Sequence, residues 1–176
     1  MISLVGLPGS GKSTVGRQLA RRLRLRFVDC DQVLERQLGC TIRECFEREG
    51  EERFRDAEET VVERLTRQQD GVLATGGGAV LRLNNRVRLR ERTYAVYLNS
   101  MPDELYRRLR HDVKRPLLQV DDPIARLREL HAQRDPLYRE VARLVVNTGR
   151  PSVAVLVRTI VGGLEAAGIV GINSGT

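Results

Sequence analysis

A glycine-rich stretch near the start of the chain has the residue types and spacing of a phosphate-binding loop. Residues 6–13 read GLPGSGKS, which matches the pattern GxxxxGK[ST], and they lie between a short apolar run and a helical pattern. Glycines allow successive backbone N–H groups to converge on phosphate oxygens, and the N-terminus of the following helix adds positive potential. The pattern predicts a nucleotide site formed by Gly9, Ser10, Gly11, Lys12, Ser13 and Thr14.

Two side chains of this loop carry the predicted chemistry. The Lys12 ammonium would reach the β and γ phosphates, and the Ser13 hydroxyl would bind a magnesium ion. Among the 30 basic residues of the chain only Lys12 and Lys114 are lysines. The lysine at position 12 therefore indicates that this position requires a compact ammonium charge, which the planar guanidinium of arginine does not provide. A P-loop indicates a nucleotide but not a reaction. Because 176 residues leave no room for helicase motifs and no guanine-reading NKxD-like segment is present, the favoured class is a small kinase.

An acidic pair, Asp29 and Asp31, follows the second predicted strand. Ligands of open α/β sheets bind at the carboxyl ends of the strands, so both carboxylates are placed for chemistry. One could hold magnesium through water, and the other could accept the proton of an acceptor hydroxyl. The alternative is that Asp31 caps the next helix and Asp29 is a solvated loop acid.

Further patterns point to an acceptor site. Arg55 and Glu58, in FRDAEE, lie three residues apart on one helix face, where they can pair and present a guanidinium group. The triplet at 76–78 follows a predicted strand and would let the backbone approach a ligand closely. KRPLL at 114–118 occupies a predicted loop, and QRDPLY at 133–138 ends the helix after it. Singly, such a triplet is more often a plain turn, and a lone arginine is more often a surface residue.

The elements that must position these residues alternate along the chain. Apolar runs predict strands at 2–5, 27–28, 72–74, 95–98 and 144–146. Periodic patterns predict helices at 12–23, 31–38, 51–69, 84–92, 102–110, 123–134 and 152–167, and a capping box at 41–44 opens a further helical stretch. Alternating strands and helices predict an α/β fold with a parallel sheet covered on both faces.

Composition limits the class of protein. A chain of 176 residues, 41% of them apolar, can bury a core as one domain without disulfides. Cys30, Cys40 and Cys45 are odd in number and lack CxxC spacing, which argues against a disulfide framework or a zinc site. No apolar run approaches the ~20 residues of a membrane span, and the start lacks a basic secretory leader. We therefore expect a cytoplasmic protein with reduced thiols.

Taken together, GLPGSGKST, DCD, FRDAEE, LATGGG, KRPLL and QRDPLY, in this order, resemble the shikimate kinase family over residues 2–167. The resemblance implies the three-layer P-loop kinase fold, a five-stranded parallel sheet flanked by helices with a mobile lid. It also implies ATP-dependent phosphorylation of the 3-hydroxyl of shikimate, in aromatic amino-acid (chorismate) biosynthesis. The expected organisation is a single domain at 1–167 with its lid at 111–122, then a flexible tail at 168–176.

The resemblance also assigns the acceptor site. Asp31, a catalytic residue that could act as a base or position the hydroxyl, would contact shikimate together with the glycines Gly76, Gly77 and Gly78. Arg55 and Arg134 would grip the shikimate carboxylate, and Glu58 would orient Arg55. These types fit a small carboxylate that bears hydroxyl groups, because guanidinium forks bind carboxylates and carboxylates accept from hydroxyls.

On the nucleotide side, the resemblance implies that Ser13 and Asp29 serve Mg²⁺. Lys12 and Arg115 would both be catalytic residues, and Arg115 would reach the transferred phosphate from the lid. Arg108 would stack on adenine. The segment at 145–151 is shorter than the adenine loop of the family, so Arg150 is not assigned to adenine.

Two other functions stay open at this point. A small P-loop kinase acting on a sugar acid such as gluconate would also keep Lys12 and an acidic pair, but would not need KRPLL together with QRDPLY. A nucleotide-regulated nucleic-acid binder would explain the net charge of +7. Against it, arginine and glutamate are interleaved at 47–53, and only 4% of residues are aromatic. We therefore expect a monomer that binds ATP and shikimate, and neither nucleic acid nor a membrane.

Overall fold

A parallel five-stranded sheet forms the centre of the computed structural model, which describes residues 1–109 and 120–171. The strands are β1 (Ile2–Val5), β2 (Phe27–Asp29), β3 (Val72–Ala74), β4 (Tyr94–Asn99) and β5 (Leu144–Asn147). They are ordered β2-β3-β1-β4-β5, and every pairing is parallel. The predicted α/β fold class is confirmed, and each predicted strand is present within two residues of its expected bounds.

Helices connect the strands and cover both faces of the sheet. They are α1 (Lys12–Leu23), α2 (Cys30–Leu38), α3 (Ile42–Thr66), α4 (Leu83–Arg92), α5 (Pro102–Leu109), α6 (Pro123–Val141) and α7 (Val153–Ala166), with a 3₁₀ turn at Ala79–Leu81. One apolar core lies under α2 to α6, and a second lies under α1 and α7. The three-layer arrangement is therefore the one that the resemblance implied.

β4 shows why its sequence is almost continuously apolar. Ala95 and Tyr97 pack into the core under α2 to α6, whereas Val96 and Leu98 pack into the core under α1 and α7. Successive side chains of a strand point to opposite faces, so a strand covered on both faces has no position for a solvated residue.

The ends of α2 and α3 follow the predicted signals. Gly39 ends α2 in the left-handed conformation, with φ 69°. The Thr41 hydroxyl accepts from the Glu44 N–H at 3.2 Å, and the Glu44 carboxylate accepts from the Thr41 N–H at 2.8 Å, so the capping box is confirmed. The expected interval before residue 51 is reduced to a kink at Gly50, where φ is 82° within α3.

The predicted end of α6 at residue 134 is wrong, because the helix continues to Val141 through Pro136. Proline removes one helical hydrogen bond, which is why the pattern suggested an end. Burial outweighs this loss, since Tyr138 is 0% exposed and Val141 is 1% exposed. Arg139 also pairs with Asp135 at 2.8 Å across the proline. As a result, QRDPLY lies within one continuous helix.

Two predicted segments fall largely or partly outside the described residues. The expected lid at 111–122 is described only from Val120 onward, and the expected tail at 168–176 is described only to Gly171. At the start of that tail, the Ile169 N–H still donates to the Leu164 carbonyl at 2.9 Å. None of the described helices is long and apolar enough to cross a membrane.

The core under α1 and α7 gives a direct test of the packing. Ile160 on α7 is 0% exposed, so Ile160→Ala should lower the free energy of unfolding by about 2–5 kcal/mol through lost burial and a cavity. Val155 on the same helix is 41% exposed, and Val155→Ala should cost less than about 1 kcal/mol. Urea unfolding followed by circular dichroism measures both. Equal losses in the two variants would contradict the assigned orientation of α7.

Candidate active site

The loop between β1 and α1 is built around the Lys12 ammonium group. Its Nζ donates to the carbonyl oxygens of Gly6 at 2.8 Å and Leu7 at 2.9 Å, and the residue is only 9% exposed. Gly9 and Gly11 adopt positive φ values of 83° and 95°, which non-glycine residues rarely adopt. These turns bring the loop back over Lys12 and place its backbone at the N-terminus of α1, where an anion is favoured.

A cavity of about 400 Å³ opens beside this loop. Its lining includes most of the predicted nucleotide residues: Gly9, Gly11, Lys12, Ser13 and Thr14. Among the predicted residues of the loop, Ser10 alone does not line the cavity, because it is only 1% exposed. The cavity is therefore placed and lined as a phosphate site requires.

The Asp29 side chain connects the start of α1 to the start of α2 through hydrogen bonds. Its Oδ2 accepts from the Ser13 hydroxyl at 2.6 Å, and its Oδ1 accepts from the Asp31 N–H at 3.1 Å. Asp29 is thus the N-cap of α2, so the alternative in which Asp31 caps this helix is wrong. Because capping is done by Asp29, the Asp31 side chain is left to face the cavities.

The oxygens of Ser13 and Asp29 fit a hard divalent cation. Magnesium prefers oxygen ligands and keeps several waters or phosphate oxygens in its shell. Within the described residues no group of three or more histidine, cysteine, aspartate or glutamate side chains could hold a metal. A magnesium ion here would therefore take one hydroxyl and one carboxylate from the chain and its remaining ligands from phosphates and water.

A second cavity, of about 650 Å³, lies on the other side of Asp31. Its lining includes every residue predicted for the acceptor: Asp31, Arg55, Glu58, Gly76, Gly77, Gly78 and Arg134. This acceptor cavity and the phosphate cavity share Pro8, Asp31 and Gly77. A molecule held in one would therefore lie next to a molecule held in the other.

Arg55 is a buried cation with fixed partners. It is 7% exposed, pairs with Glu58 at 2.6 Å, and lies 5.1 Å from the centre of the Phe54 ring. Glu51, whose side chain is 57% exposed, approaches its outer side at 3.2 Å. Burial raises the pKa of Glu58, and the Arg55 guanidinium opposes that rise. The exposed Glu51 is the exchangeable partner, so the outer side of Arg55 can take a ligand carboxylate instead.

The glycine triplet lies against the functional side chains themselves. A Cβ atom on Gly76 would lie 2.6 Å from Glu58 Oε1 and 2.9 Å from Asp31 Oδ1, and one on Gly78 would overlap the Arg55 guanidinium. Any side chain at these positions would displace a carboxylate or a guanidinium group. The close approach predicted for the triplet is therefore present, and it is made to side chains of the site.

Tyr138 holds this triplet in place and was missed in the sequence. Its hydroxyl donates to the Gly77 carbonyl at 2.6 Å and also interacts with Arg134, one helical turn earlier on α6. Burial raises the pKa of Tyr138 to about 12, so the hydroxyl stays protonated. Tyr97 stacks on Tyr138 with ring centres 5.0 Å apart. The signal that could have identified Tyr138 is its four-residue spacing from Arg134, which requires that the helix continue through Pro136.

Asp31 has the electrostatics of a group that can carry a proton. Burial raises the pKa of Asp31, the nearby Lys12 ammonium opposes the rise, and Asp29 adds to it. A carboxylate with a raised pKa is a stronger proton acceptor than an ordinary surface aspartate. Desolvation plus a specific charge partner in a cleft is also typical of functional sites.

The remaining nucleotide-side predictions have different outcomes. Arg108 is exposed, and its guanidinium donates to the Thr148 carbonyl, which places it beside the segment after β5. Arg115 lies outside the described residues, so its contact with the transferred phosphate stays a prediction. Arg150 is exposed and lines neither cavity.

Comparison with known proteins agrees with this geometry. The family model described as shikimate kinase matches residues 8–165. A shikimate kinase of Paracidovorax citrulli is 58% identical over 96% of this chain and 93% of its own length. The structure of a shikimate kinase from Acinetobacter baumannii in complex with shikimate has a TM-score of 0.89 at 43% identity, covering 94% of this chain and 93% of that one.

A gluconokinase from Sinorhizobium meliloti is a more distant structural neighbour. Its TM-score is 0.60 at 21% identity, covering 94% of this chain and 91% of the other. At that level of identity the likeness extends to the fold alone.

The raised pKa of Asp31 predicts how the free energy of unfolding depends on pH. The folded state binds this proton more tightly than the unfolded chain, so ionisation of Asp31 destabilises the fold. The cost is complete above the raised pKa and disappears below the unfolded value near ~4. Asp31→Asn should therefore stabilise the protein at pH ~7, and the gain should shrink toward pH ~4.

Urea unfolding of both proteins across this pH range measures the effect. Asp70→Asn, at an exposed position, is the matched control and should leave the pH profile unchanged. A loss of stability in Asp31→Asn at pH ~7 would show that the carboxylate is satisfied rather than strained.

Proposed function

The chain belongs to the shikimate kinase family and phosphorylates shikimate with ATP, and we propose that the phosphoryl group goes to the 3-hydroxyl at the junction of the two cavities beside Asp31. The reaction is a step of aromatic amino-acid biosynthesis. The observation that carries the proposal is that the phosphate cavity and the acceptor cavity share Asp31. Phosphoryl transfer depends mainly on the positioning of the two reactants and on electrostatic stabilisation of the transition state. Two adjoining cavities that share Asp31 can provide both.

On the acceptor side, we assign recognition of the shikimate carboxylate to Arg55 and Arg134. A guanidinium fork binds a carboxylate through two charge-assisted hydrogen bonds. Glu58 holds Arg55 from the buried side at 2.6 Å, and the exposed Glu51 yields its place to the incoming carboxylate. Arg134 has a buried Nε atom without a hydrogen-bond partner in the described part of the chain, which supports a role in binding an anion. The carboxylate thus anchors shikimate with its hydroxyl groups toward Asp31.

Asp31 then orients the 3-hydroxyl and receives its proton. The hydroxyl donates to the Asp31 carboxylate, and its oxygen attacks the γ-phosphorus of ATP. As the new O–P bond forms, the bond to ADP breaks, and the hydroxyl proton goes to Asp31. Transfer through a loose transition state needs little proton abstraction at its start, so orientation by Asp31 comes first. The pKa raised by burial suits the carboxylate for taking up the proton at the end.

On the nucleotide side, we assign Lys12 to the β and γ phosphates. Its ammonium is already held over the loop by two carbonyl oxygens, so little reorganisation is required when phosphates replace them. Ser13 and Asp29 would hold the magnesium ion that accompanies ATP, which neutralises phosphate charge when bound. Arg108 would stack on adenine, and Arg115 would contact the transferred phosphate.

The proposal requires no second subunit and no macromolecular partner. We infer that the protein acts on small molecules as a monomer. Several arginine and glutamate residues of α3 form ion pairs with each other, such as Arg43 with Glu47 at 2.8 Å. This local neutralisation is consistent with a solvated surface rather than a nucleic-acid interface, and we infer a cytoplasmic enzyme.

A coupled assay of ADP release tests the proposed acceptor directly. Shikimate and gluconate are offered separately with ATP and magnesium, and phosphorus NMR identifies the product. We expect rapid turnover with shikimate to a 3-phosphate ester and background turnover with gluconate. Phosphorylation at another hydroxyl, or faster turnover with gluconate, would overturn the proposal.

Lys12→Ala should abolish turnover while the fold survives. Loss of the ammonium removes the main partner of the migrating charge, and a barrier increase of several kcal/mol is expected, about 10³-fold in rate. Lys12→Arg should also fail, because a planar guanidinium group does not fit a loop closed around a point charge. Steady-state kinetics measures the rate, and circular dichroism checks the fold. Near-normal turnover in a folded Lys12→Ala protein would reject the nucleotide assignment.

Arg134→Ala should weaken shikimate binding by about 2 kcal/mol or more, which is roughly a thirtyfold loss of affinity. The affinity for ATP should change little. Arg55→Ala should do the same but also destabilise the fold, since Glu58 would be left buried without its partner. Arg43→Ala is the control, because Arg43 lines the same cavity but its side chain is 63% exposed and pairs with Glu47. Calorimetric titration with each ligand measures the affinities. Equal losses for shikimate and ATP would assign these arginines to the fold.

A further inference from the structure

A groove of about 510 Å³ runs between α1 and α7, away from both cavities of the active site. We call it the α1–α7 groove. Its polar lining residues, which we call the rim, are Gln18, Arg21, Arg22 and Arg158, and its apolar lining residues, which we call the floor, are Ala154, Val157 and Val161. None of these residues lines the phosphate cavity or the acceptor cavity, so the groove has no part in the phosphoryl transfer derived above.

The arginines of the rim differ from most others in the described structure. Arg21, Arg22 and Arg158 are exposed, and none forms an ion pair or a side-chain hydrogen bond with another described residue. α1 contains no acidic residue, and α7 contains only Glu165. By contrast, Arg43, Arg53, Arg55 and Arg67 on or next to α3 each pair with a glutamate of that helix. Within the described residues, the positive charge of the groove is therefore not paired with any acidic side chain.

The helix dipole explains only part of this charge. Arg21 and Arg22 lie in the last turn of α1, where positive side chains are favoured by the negative end of the helix. Arg158 lies near the middle of α7, where the dipole gives no such advantage. Its side chain nevertheless faces the arginines of α1 across the groove, a like-charge arrangement that a bound anion would relieve.

The floor adds an apolar component to the site. Ala154, Val157 and Val161 repeat at intervals of three and four along α7, so they form one continuous stripe. The rim offers the guanidinium donors of three arginines, so it selects for acceptors. The volume lies in the range of about 300–1,000 Å³ that is typical of small-molecule sites.

We propose that the α1–α7 groove binds a small organic anion. Its apolar body would lie on the stripe of Ala154, Val157 and Val161, and its acidic group would be held by Arg22 and Arg158. The acidic group can be a carboxylate, a phosphate or a sulfonate, since a guanidinium fork binds each of these oxyanions. The proposal is independent of the acceptor and nucleotide assigned to the active site.

Fluorescence titration with anilinonaphthalene sulfonate tests it, because this probe combines an apolar body with one anionic group. The full chain is used with saturating ADP and shikimate, which occupy the active site, at physiological salt. Two controls separate the parts of the probe. Phenylnaphthylamine has the same apolar body without the charge, and inorganic phosphate, added as a competitor, has a negative charge without an apolar body. We expect both to bind at least about tenfold more weakly than the sulfonate.

The location is tested by a pair of charge-matched variants. Arg22→Gln with Arg158→Gln removes two rim charges, whereas Arg17→Gln with Arg24→Gln removes two exposed charges of the α1 segment outside the groove. Sulfonate binding should weaken at least about tenfold in the first protein and less than about twofold in the second. Both should keep wild-type turnover, which shows that they fold. Equal weakening in the two proteins, unchanged binding in the first, or no sulfonate binding to the wild type would each overturn the proposal.

Discussion

The carboxylate of Asp29 makes the contacts on which the arrangement of the site depends. One oxygen accepts from the Ser13 hydroxyl at 2.6 Å, and the other caps α2 by accepting from the Asp31 N–H at 3.1 Å. A single side chain thus fixes the phosphate-loop helix relative to the helix that begins the acceptor side. Because Asp29 serves as the cap, Asp31 is free to face the junction of the two cavities, where it can act on both molecules.

The acceptor side depends on a second constraint, the need to satisfy buried charge. Arg55 is 7% exposed and Glu58 is 1% exposed, and two such charges persist in a core only when they pair closely. Glycines at 76–78 leave room for that pair, and the Tyr138 hydroxyl holds the loop from behind through Gly77. These contacts are made without substrate, and the exposed Glu51 is the partner of Arg55 that can move aside.

Most of this fold could be predicted from the sequence because its signals are local. Continuous apolar strands, the capping box at Thr41 and the P-loop each depend on a few adjacent residues. The sequence predictions that were wrong concern features that tertiary contacts determine, namely the end of α6 and the cap of α2. α6 passes through Pro136 because Tyr138 is buried, and Asp29 rather than Asp31 caps α2 because Ser13 holds it in position. No sequence pattern predicts the arginine cluster of the α1–α7 groove, because Arg158 and Arg22 lie far apart in the sequence and meet only through the packing of α1 against α7.

We propose that Asp31 joins the nucleotide to the acceptor, and a crystal structure with ADP, magnesium, aluminium fluoride and shikimate tests this role. We expect the shikimate carboxylate on Arg55 and Arg134, the 3-hydroxyl oxygen within hydrogen-bond distance of an Asp31 oxygen, and the fluoride group in line between that hydroxyl and ADP. Shikimate bound with its carboxylate away from both arginines, or with another hydroxyl on Asp31, would reject this role.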